Sequence, residues 1–381
     1  MKKNTRRIFG LDLMRAGAIF FVLVSHLPMF FQDYNNVITD SLQVLGLYGV
    51  EIFFVLSGFL IGDILLKMLS DYQFTFKSVL LFWVRRWFRT LPLYFLVLSV
   101  NVILFYIING SLPIHLWKYV FFLQNFKDEY LIFFPESWSL SVEEYTYLLA
   151  PLGLFFFIKL GKHFNIAKTR LFLYNTCTLC AVFLITKTQY YFNNVEYLQS
   201  FKSWNINLKS MVIYRIDAIL FGFVLIYFFR TYFSFFKTHR LKFFITGSVL
   251  LAFLIISILV FPIGESNTFY WNVLFLPLSS IAIACILPFL YFFKLKHLGL
   301  SKWIEKISLY SYSMYLLHYS LTFLIIERFL DFTSLEFHSR IICSLLYLIV
   351  VFWLSKLSYS YFEKPVTDLR DSKIIKKFFR Q

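Results

Sequence analysis

Long apolar stretches alternate along this chain with short polar segments, and the apolar stretches have a nearly constant length. Ten of them stand out, at roughly residues 10–31, 44–66, 90–109, 138–158, 170–187, 210–229, 242–262, 272–292, 307–328 and 340–361. A helix needs about 20 mostly apolar residues to cross a bilayer, and each stretch comes close to that length. Inside lipid the backbone must satisfy its own N–H and C=O groups, which selects helices. The pattern therefore predicts an all-α polytopic membrane bundle of about ten transmembrane helices.

The basic residues orient that bundle. With the N-terminus in the cytoplasm, 27 of the 37 Lys and Arg residues fall in inside segments and 7 in outside segments; Arg15, Arg215 and Lys356 lie within helices. Cytoplasmic loops carry the excess of Lys and Arg in membrane proteins, and one missed span would scramble the bias. The expectation is cytoplasmic N- and C-termini, a membrane domain over residues 1–361 and a basic cytoplasmic tail over 362–381. Outside loops are short except 110–137 and 188–209.

Composition agrees. Hydrophobic residues make up 59% of the 381 positions and charged residues 15%, against about 25% charged in an ordinary soluble domain. The formal net charge of +16 would raise nucleic acid as a partner in a soluble protein. Here it is the cytoplasmic loop charge, so membrane lipids are the expected surroundings and no nucleic-acid partner is expected. Cys177, Cys180, Cys285 and Cys343 all fall in apolar stretches and read as packing residues. The start, Met1 to Arg7, resembles a signal-peptide n-region, but Asp12 and Arg15 interrupt the apolar run and no small-x-small cleavage site follows. It reads as an uncleaved first span.

Function must then reside in the polar groups inside the bilayer, where an ionisable residue is expensive and persists by lining a cavity or meeting a partner. Arg15 and His26 are eleven positions apart, which puts them within about 20° of one helix face and roughly 16–17 Å apart along its axis. Asp12, one turn below, is placed to pair with Arg15. Glu51 enters the second helix from the outside, within Gly49-Val-Glu-Ile-Phe-Phe-Val-Leu-Ser-Gly-Phe-Leu-Ile-Gly62, where Gly58 and Gly62 let another backbone approach. Arg86 and Arg89 share a face at the cytoplasmic side and suit phosphates or a carboxylate. The block Trp138-Ser-Leu-Ser-Val-Glu-Glu-Tyr145 puts Glu143 and Glu144 at the outer end of a helix, beside Trp138, Ser139 and Ser141, which can bond or stack on a sugar. Arg215, Asp217 and His318 complete the set. His26, His318, Glu51 and Glu143 lack a shared ligand spacing, so no metal site is expected.

These stretches together resemble the membrane acyltransferase-three family of bacterial surface-polysaccharide O-acetyltransferases. The carrying residues are Leu11-Asp-Leu-Met-Arg15 with ten residues between Arg15 and His26, the Gly49 to Gly62 segment, Arg86-x-x-Arg89 followed by Pro92, and Trp138 to Glu144. Arg215-x-Asp217-Ala and Ser311-Tyr-Ser-Met-Tyr-x-x-His318 add weaker matches. The resemblance covers nearly the whole chain. It implies a ten-helix acyltransferase core in the bacterial cytoplasmic (inner) membrane, with acetyl-CoA as acyl donor. The acceptor would be a surface glycan, with lipopolysaccharide O-antigen or exopolysaccharide foremost, and peptidoglycan or a lipid-linked sugar also open. Some relatives carry a fused extracytoplasmic hydrolase-like domain. This chain resembles the stand-alone members, which leaves room for a separate extracytoplasmic partner protein.

On that reading Arg15, Arg86 and Arg89 hold the phosphates of the acyl-CoA. His26 acts as general base on the acceptor hydroxyl, and Glu143 or Glu144 orients it or binds acceptor hydroxyls. Glu51, Trp138, Ser141, Arg215, Asp217 and His318 position the acceptor. Direct transfer and a transient acyl-histidine both stay open, as does the nature of the acyl group. The competing class is a transporter that exports a glycan or acylated lipid. Against it, no inverted repeat and no matched pair of helix breaks is detectable.

Overall fold

A computed structural model describes residues 7–371 except 35, 72–73, 128–129, 195–199, 262, 264–267 and 296. Lys2, Lys3, Arg6, Lys296 and residues 372–381 of the basic tail lie outside the described residues. Ten helices of 16 residues or more run through the described chain: α1 Phe9–Ser25, α2 Val37–Asp71, α3 Phe76–Asn109, α4 Trp138–Gly161, α5 Lys168–Asn193, α6 Ile216–Thr231, α7 Phe233–Val260, α8 Phe275–Phe292, α9 Leu298–Leu317 and α10 Phe337–Ser358. Each predicted apolar stretch overlaps one of them. The protein is an all-α membrane bundle.

Seven helical segments are long and apolar enough to cross a membrane by length and composition. The three predicted spans that fall short are α4, α6 and α9. In α4 the pair Glu143 and Glu144 lowers the hydropathy, α6 has only 16 residues, and α9 carries Lys302, Glu305 and Lys306.

Helix α2 is central, packing against α1, α6 and α8, while α7 lies at the rim against α8. Two-thirds of the most apolar window of α2 is buried, against 17% for α7. The exposed face of α7 carries Val249, Phe253 and Ile256, an arrangement that only a lipid surround tolerates. The α2–α6 contact is backbone to backbone. A Cβ on Gly58 would collide with the Ile219 carbonyl oxygen, and one on Gly222 with that of Val55. Gly58, singled out in the sequence as a close-approach position, has found its partner helix.

Both described ends lie on one side. Arg85, near the start of α3, bonds Asp371 at 3.0 Å, and Arg89 one turn later meets Glu363 at 3.1 Å. This is the basic side that the charge bias places in the cytoplasm, and it is called the inner side below.

The structure departs from the sequence expectations at several polar points. The first predicted span, 10–31, is broken: α1 ends at Ser25, His26 caps it, and a 3-10 turn Leu27–Phe31 follows. Pro28 explains the break, because its ring and missing N–H cannot continue an α-helix. The span 210–229 is α-helical only from Ile216. The helix of the ninth stretch stops at Leu317 and passes through a π-helical turn, Tyr319–Phe323, into the short helix Leu324–Phe329. His318 thus sits at a junction rather than within a regular helix, and such π turns occur often at functional sites. Lys187, at the outer end of the predicted stretch 170–187, is well inside α5, fully buried and 2.5 Å from Asp217. Asp12 does not pair with Arg15. It binds Arg7 instead and accepts from Ser308 at 2.6 Å.

Candidate active site

The inner half of the bundle contains a cavity of about 790 Å³ of empty space. Arg15 from α1, Ser57 from α2, Arg86 and Arg89 from α3, Glu143 from α4 and Tyr312 from α9 line it. The three arginines arrive from two helices. Arg86 and Arg89 share a face because they are three positions apart on α3, as the sequence predicts. Arg15 reaches the same space from the neighbouring wall.

Their partners differ. Arg86 donates to Tyr147 Oη at 2.8 Å, lies over the Tyr147 ring at 4.2 Å, and is 3.5 Å from Glu143. Glu143 is held in turn by Ser57 at 3.0 Å and Tyr147 at 2.8 Å. Arg89 faces Glu363, whose other oxygen accepts from Ser313 at 2.6 Å. Among the described residues Arg15 has no ion pair. Three guanidiniums against two carboxylates leave the cavity with positive charge, and planar guanidinium groups suit phosphate oxygens. Glu144 points elsewhere and accepts from Thr90 at 2.7 Å.

Above this cavity, towards the outer side, two histidines meet. The rings of His26 and His318 have centroids 5.0 Å apart, and Tyr319 packs on His26 at 4.8 Å. His318 is buried, and its Nδ1 is 2.6 Å from the Tyr315 carbonyl oxygen. A carbonyl only accepts, so this nitrogen carries the hydrogen and Nε2 keeps the lone pair. On His26, Nδ1 faces Met29 Sδ at 3.4 Å.

One helix face connects the two regions. Tyr312 and Tyr315 line the cavity, and Tyr312, Tyr315 and the helix-capping His318 follow one another at three-residue steps along α9 and its C-cap, about 9 Å from first to last at the α-helical rise. The Tyr315 hydroxyl accepts from Ser139 at 2.7 Å, and its ring lies 5.5 Å from that of His318. The Tyr315–Ser139 contact therefore forms the wall between the cationic cavity and the histidine pair.

The remaining sequence candidates separate into three groups. Trp138 lies beneath Lys209, whose ammonium is 4.7 Å from the ring centroid. Ser141 accepts from Gln124 at 2.8 Å, inside a buried lattice that also joins Asn125 to Trp138 O and Ser210 O. Glu51 and Arg215 form an ion pair with each other, both fully buried, and Ser280 donates to the second Glu51 oxygen at 3.0 Å. Asp217 is taken by Lys187. Glu143 and Glu144 make no hydrogen bond to His26, so the structure does not bring them to the imidazole.

Glu136 escaped the sequence reading. It is buried, accepts from both the backbone N and the hydroxyl of Ser320 at 3.0 and 2.6 Å, and has a second oxygen with no partner among the described residues. Ser320 belongs to the π-helical turn just after His318, so Glu136 fixes the turn that carries Tyr319 and His318. The sign on the chain was a lone carboxylate after Phe133-Phe-Pro, two positions before Trp138.

A membrane helix bundle that holds a cationic inner cavity and, beyond the Tyr315–Ser139 wall, a pair of imidazoles has the parts of an integral membrane enzyme. The comparisons narrow it. An acyltransferase-domain family profile matches residues 8–357, and the chain belongs to that family, the membrane acyltransferase-three family. It is similar to the peptidoglycan O-acetyltransferase OatA of Listeria monocytogenes, at 30% identity over 43% of this chain and 27% of that protein. It is similar also to the O-acetyltransferase OatA of Staphylococcus aureus, at 31% identity over 44% of this chain and 28% of that one. The chain thus matches little more than a quarter of the length of these relatives. No solved structure matches the chain.

Proposed function

We propose that this protein is an O-acyltransferase of the bacterial cytoplasmic membrane. It moves an acetyl group from cytoplasmic acetyl-CoA to a hydroxyl of an extracytoplasmic glycan. The observation that carries this is the ladder Tyr312, Tyr315, His318 on α9, which joins the cavity of Arg15, Arg86 and Arg89 to the His26–His318 pair. Donor phosphates enter at the arginines, and the thioester extends towards the imidazoles. The acceptor oxygen attacks the thioester carbonyl carbon while His26 takes the hydroxyl proton. The C–S bond then breaks, and the departing sulfur recovers a proton from the imidazolium, leaving an acetyl ester and free CoA. A positioned general base typically contributes about 10²–10⁴-fold.

The similarity to a peptidoglycan O-acetyltransferase favours peptidoglycan as the acceptor; O-antigen and exopolysaccharide are the other acceptors of the same chemistry. The experiment is CoA release from acetyl-CoA by the purified protein in lipid vesicles, with peptidoglycan glycan strands, O-antigen or exopolysaccharide supplied separately. CoA release that requires one of these glycans, and an acetyl ester on it, supports the proposal. A protein that binds no acetyl-CoA and transports a glycan instead would replace it with the transporter reading.

A further inference from the structure

A second cavity opens on the outer side, with about 1090 Å³ of empty space. The end of α5 and the segment 207–214 wall it. Its lining contains four amide side chains, Gln189, Asn193, Asn194 and Asn207, and the rings of Tyr190 and Tyr214, whose centroids are 5.0 Å apart. Lys127 is the one charged side chain among its described lining residues, and none of these is a carboxylate.

That composition selects a ligand. Each amide offers both donors and an acceptor, which is what a hydroxyl-rich and N-acetylated surface presents in return. Tyrosine faces supply flat apolar contact for the C–H faces of sugar rings. An apolar lipid tail finds little here. Within the lining Asn194 Nδ2 donates to Tyr190 O and Asn207 Nδ2 to Ser203 Oγ, so both keep their carbonyl oxygens. Gln189 and Asn193 have no hydrogen bond among the described residues.

The walls are fixed and lead to the site. Ile213 O accepts from Thr186 at 2.8 Å, Val212 N donates to Asn125 O at 3.0 Å, and Ile213 N donates to Phe126 O at 3.3 Å. Asn125 also joins Ser210 O to Trp138 O. The same stretch that gives Asn207, Met211 and Tyr214 to the cavity turns Lys209 onto the Trp138 ring. Trp138 begins the helix whose next residue, Ser139, touches Tyr315. The outer cavity and the wall between donor and histidines are therefore parts of one braced unit.

We propose that this amide- and tyrosine-lined cavity is the binding site for the acceptor glycan, holding the chain while one hydroxyl reaches His26. The identity of the ligand rests on the acyl-transfer reading above. The test is the variant Gln189→Ala/Asn193→Ala/Asn207→Ala in lipid vesicles, with acceptor KM and acetyl-CoA KM measured separately. All three side chains are solvent-exposed, so folding should survive. Acceptor KM should rise about 10-fold or more, as expected for several lost hydrogen bonds at roughly 0.5–1.5 kcal/mol each, while acetyl-CoA KM stays the same. An unchanged acceptor KM overturns the site. Where wild type uses no glycan at all, the acyl-transfer reading fails, and the cavity is judged alone: saturation-transfer NMR with N-acetylglucosamine oligosaccharides on nanodisc-embedded protein should show binding that the triple variant lacks. Equal signals from both, or none from wild type, also overturn it.

Discussion

The imidazoles of His26 and His318 lie with ring centroids 5.0 Å apart, brought together by two different interruptions of helix. Pro28 ends α1 just after His26, and the π-helical turn Tyr319–Phe323 begins just after His318. Each histidine is thereby released from a regular helix at the point where the other arrives. With His318 Nδ1–H committed to the Tyr315 carbonyl, both rings have defined roles to test.

His26→Ala should lower turnover at least 100-fold, the lower end for loss of a general base, with acetyl-CoA binding retained. His318→Ala should lower kcat less. His318→Asn should recover part of that loss, because its amide can still donate to Tyr315 O. Steady-state CoA release and donor binding, run on protein of matched thermal stability, check both. Near-normal turnover in a folded His26→Ala protein would remove His26 from the chemistry.

Arg89 and Arg15 make a prediction about the donor alone. Hydrogen bonds to charged groups are worth about 1.5–3 kcal/mol, so Arg89→Ala and Arg15→Ala should each raise acetyl-CoA KM roughly 10- to 100-fold. Acetyl-pantetheine lacks the nucleotide phosphates. With that donor, variant and wild type should have the same KM. A variant equally impaired with both donors would mean that the arginines hold the fold rather than the phosphates.

Much of this was legible in the chain, and the parts that were not share a cause. Apolar length predicted helices at all ten stretches, and the three-residue spacing of Arg86 and Arg89 predicted their shared cavity face. Spacing describes one helix at a time, however. It could not show that Glu51 and Arg215, each read as reaching for an acceptor, meet each other instead, or that Lys187 turns inward to Asp217. Nor could it show that Glu143 serves Arg86 and Tyr147. Glu136 was missed because nothing in its own segment reveals Ser320, which the fold brings from α9's continuation.

Glu136 should behave as a positioning residue. Glu136→Gln keeps a side-chain oxygen able to accept from the Ser320 N–H and hydroxyl, and should retain most activity. Glu136→Leu loses both bonds and leaves two buried donors unmatched, a penalty of about 1–3 kcal/mol each. Its kcat should fall about 10-fold or more, with acetyl-CoA KM unchanged. A general loss of structure would instead lower donor binding too, and would not be rescued by the glutamine.

The Glu51–Arg215 pair makes the sharpest stability prediction. Both side chains are about 1% exposed, and the pair joins α2 to the start of α6, the same two helices that meet at Gly58 and Gly222. Removing one member leaves the other as an uncompensated buried charge, which typically costs 3–5 kcal/mol, while replacing both with apolar residues of similar volume is often neutral. Glu51→Leu and Arg215→Met should therefore each destabilise the protein strongly, and the double variant should be markedly more stable than either single one. Thermal unfolding in detergent, read as a double-mutant cycle, measures this. If the double variant regains stability but not turnover, the pair also has a role in the reaction. If it regains both, Glu51 and Arg215 are braces for α6 and the acceptor is held elsewhere.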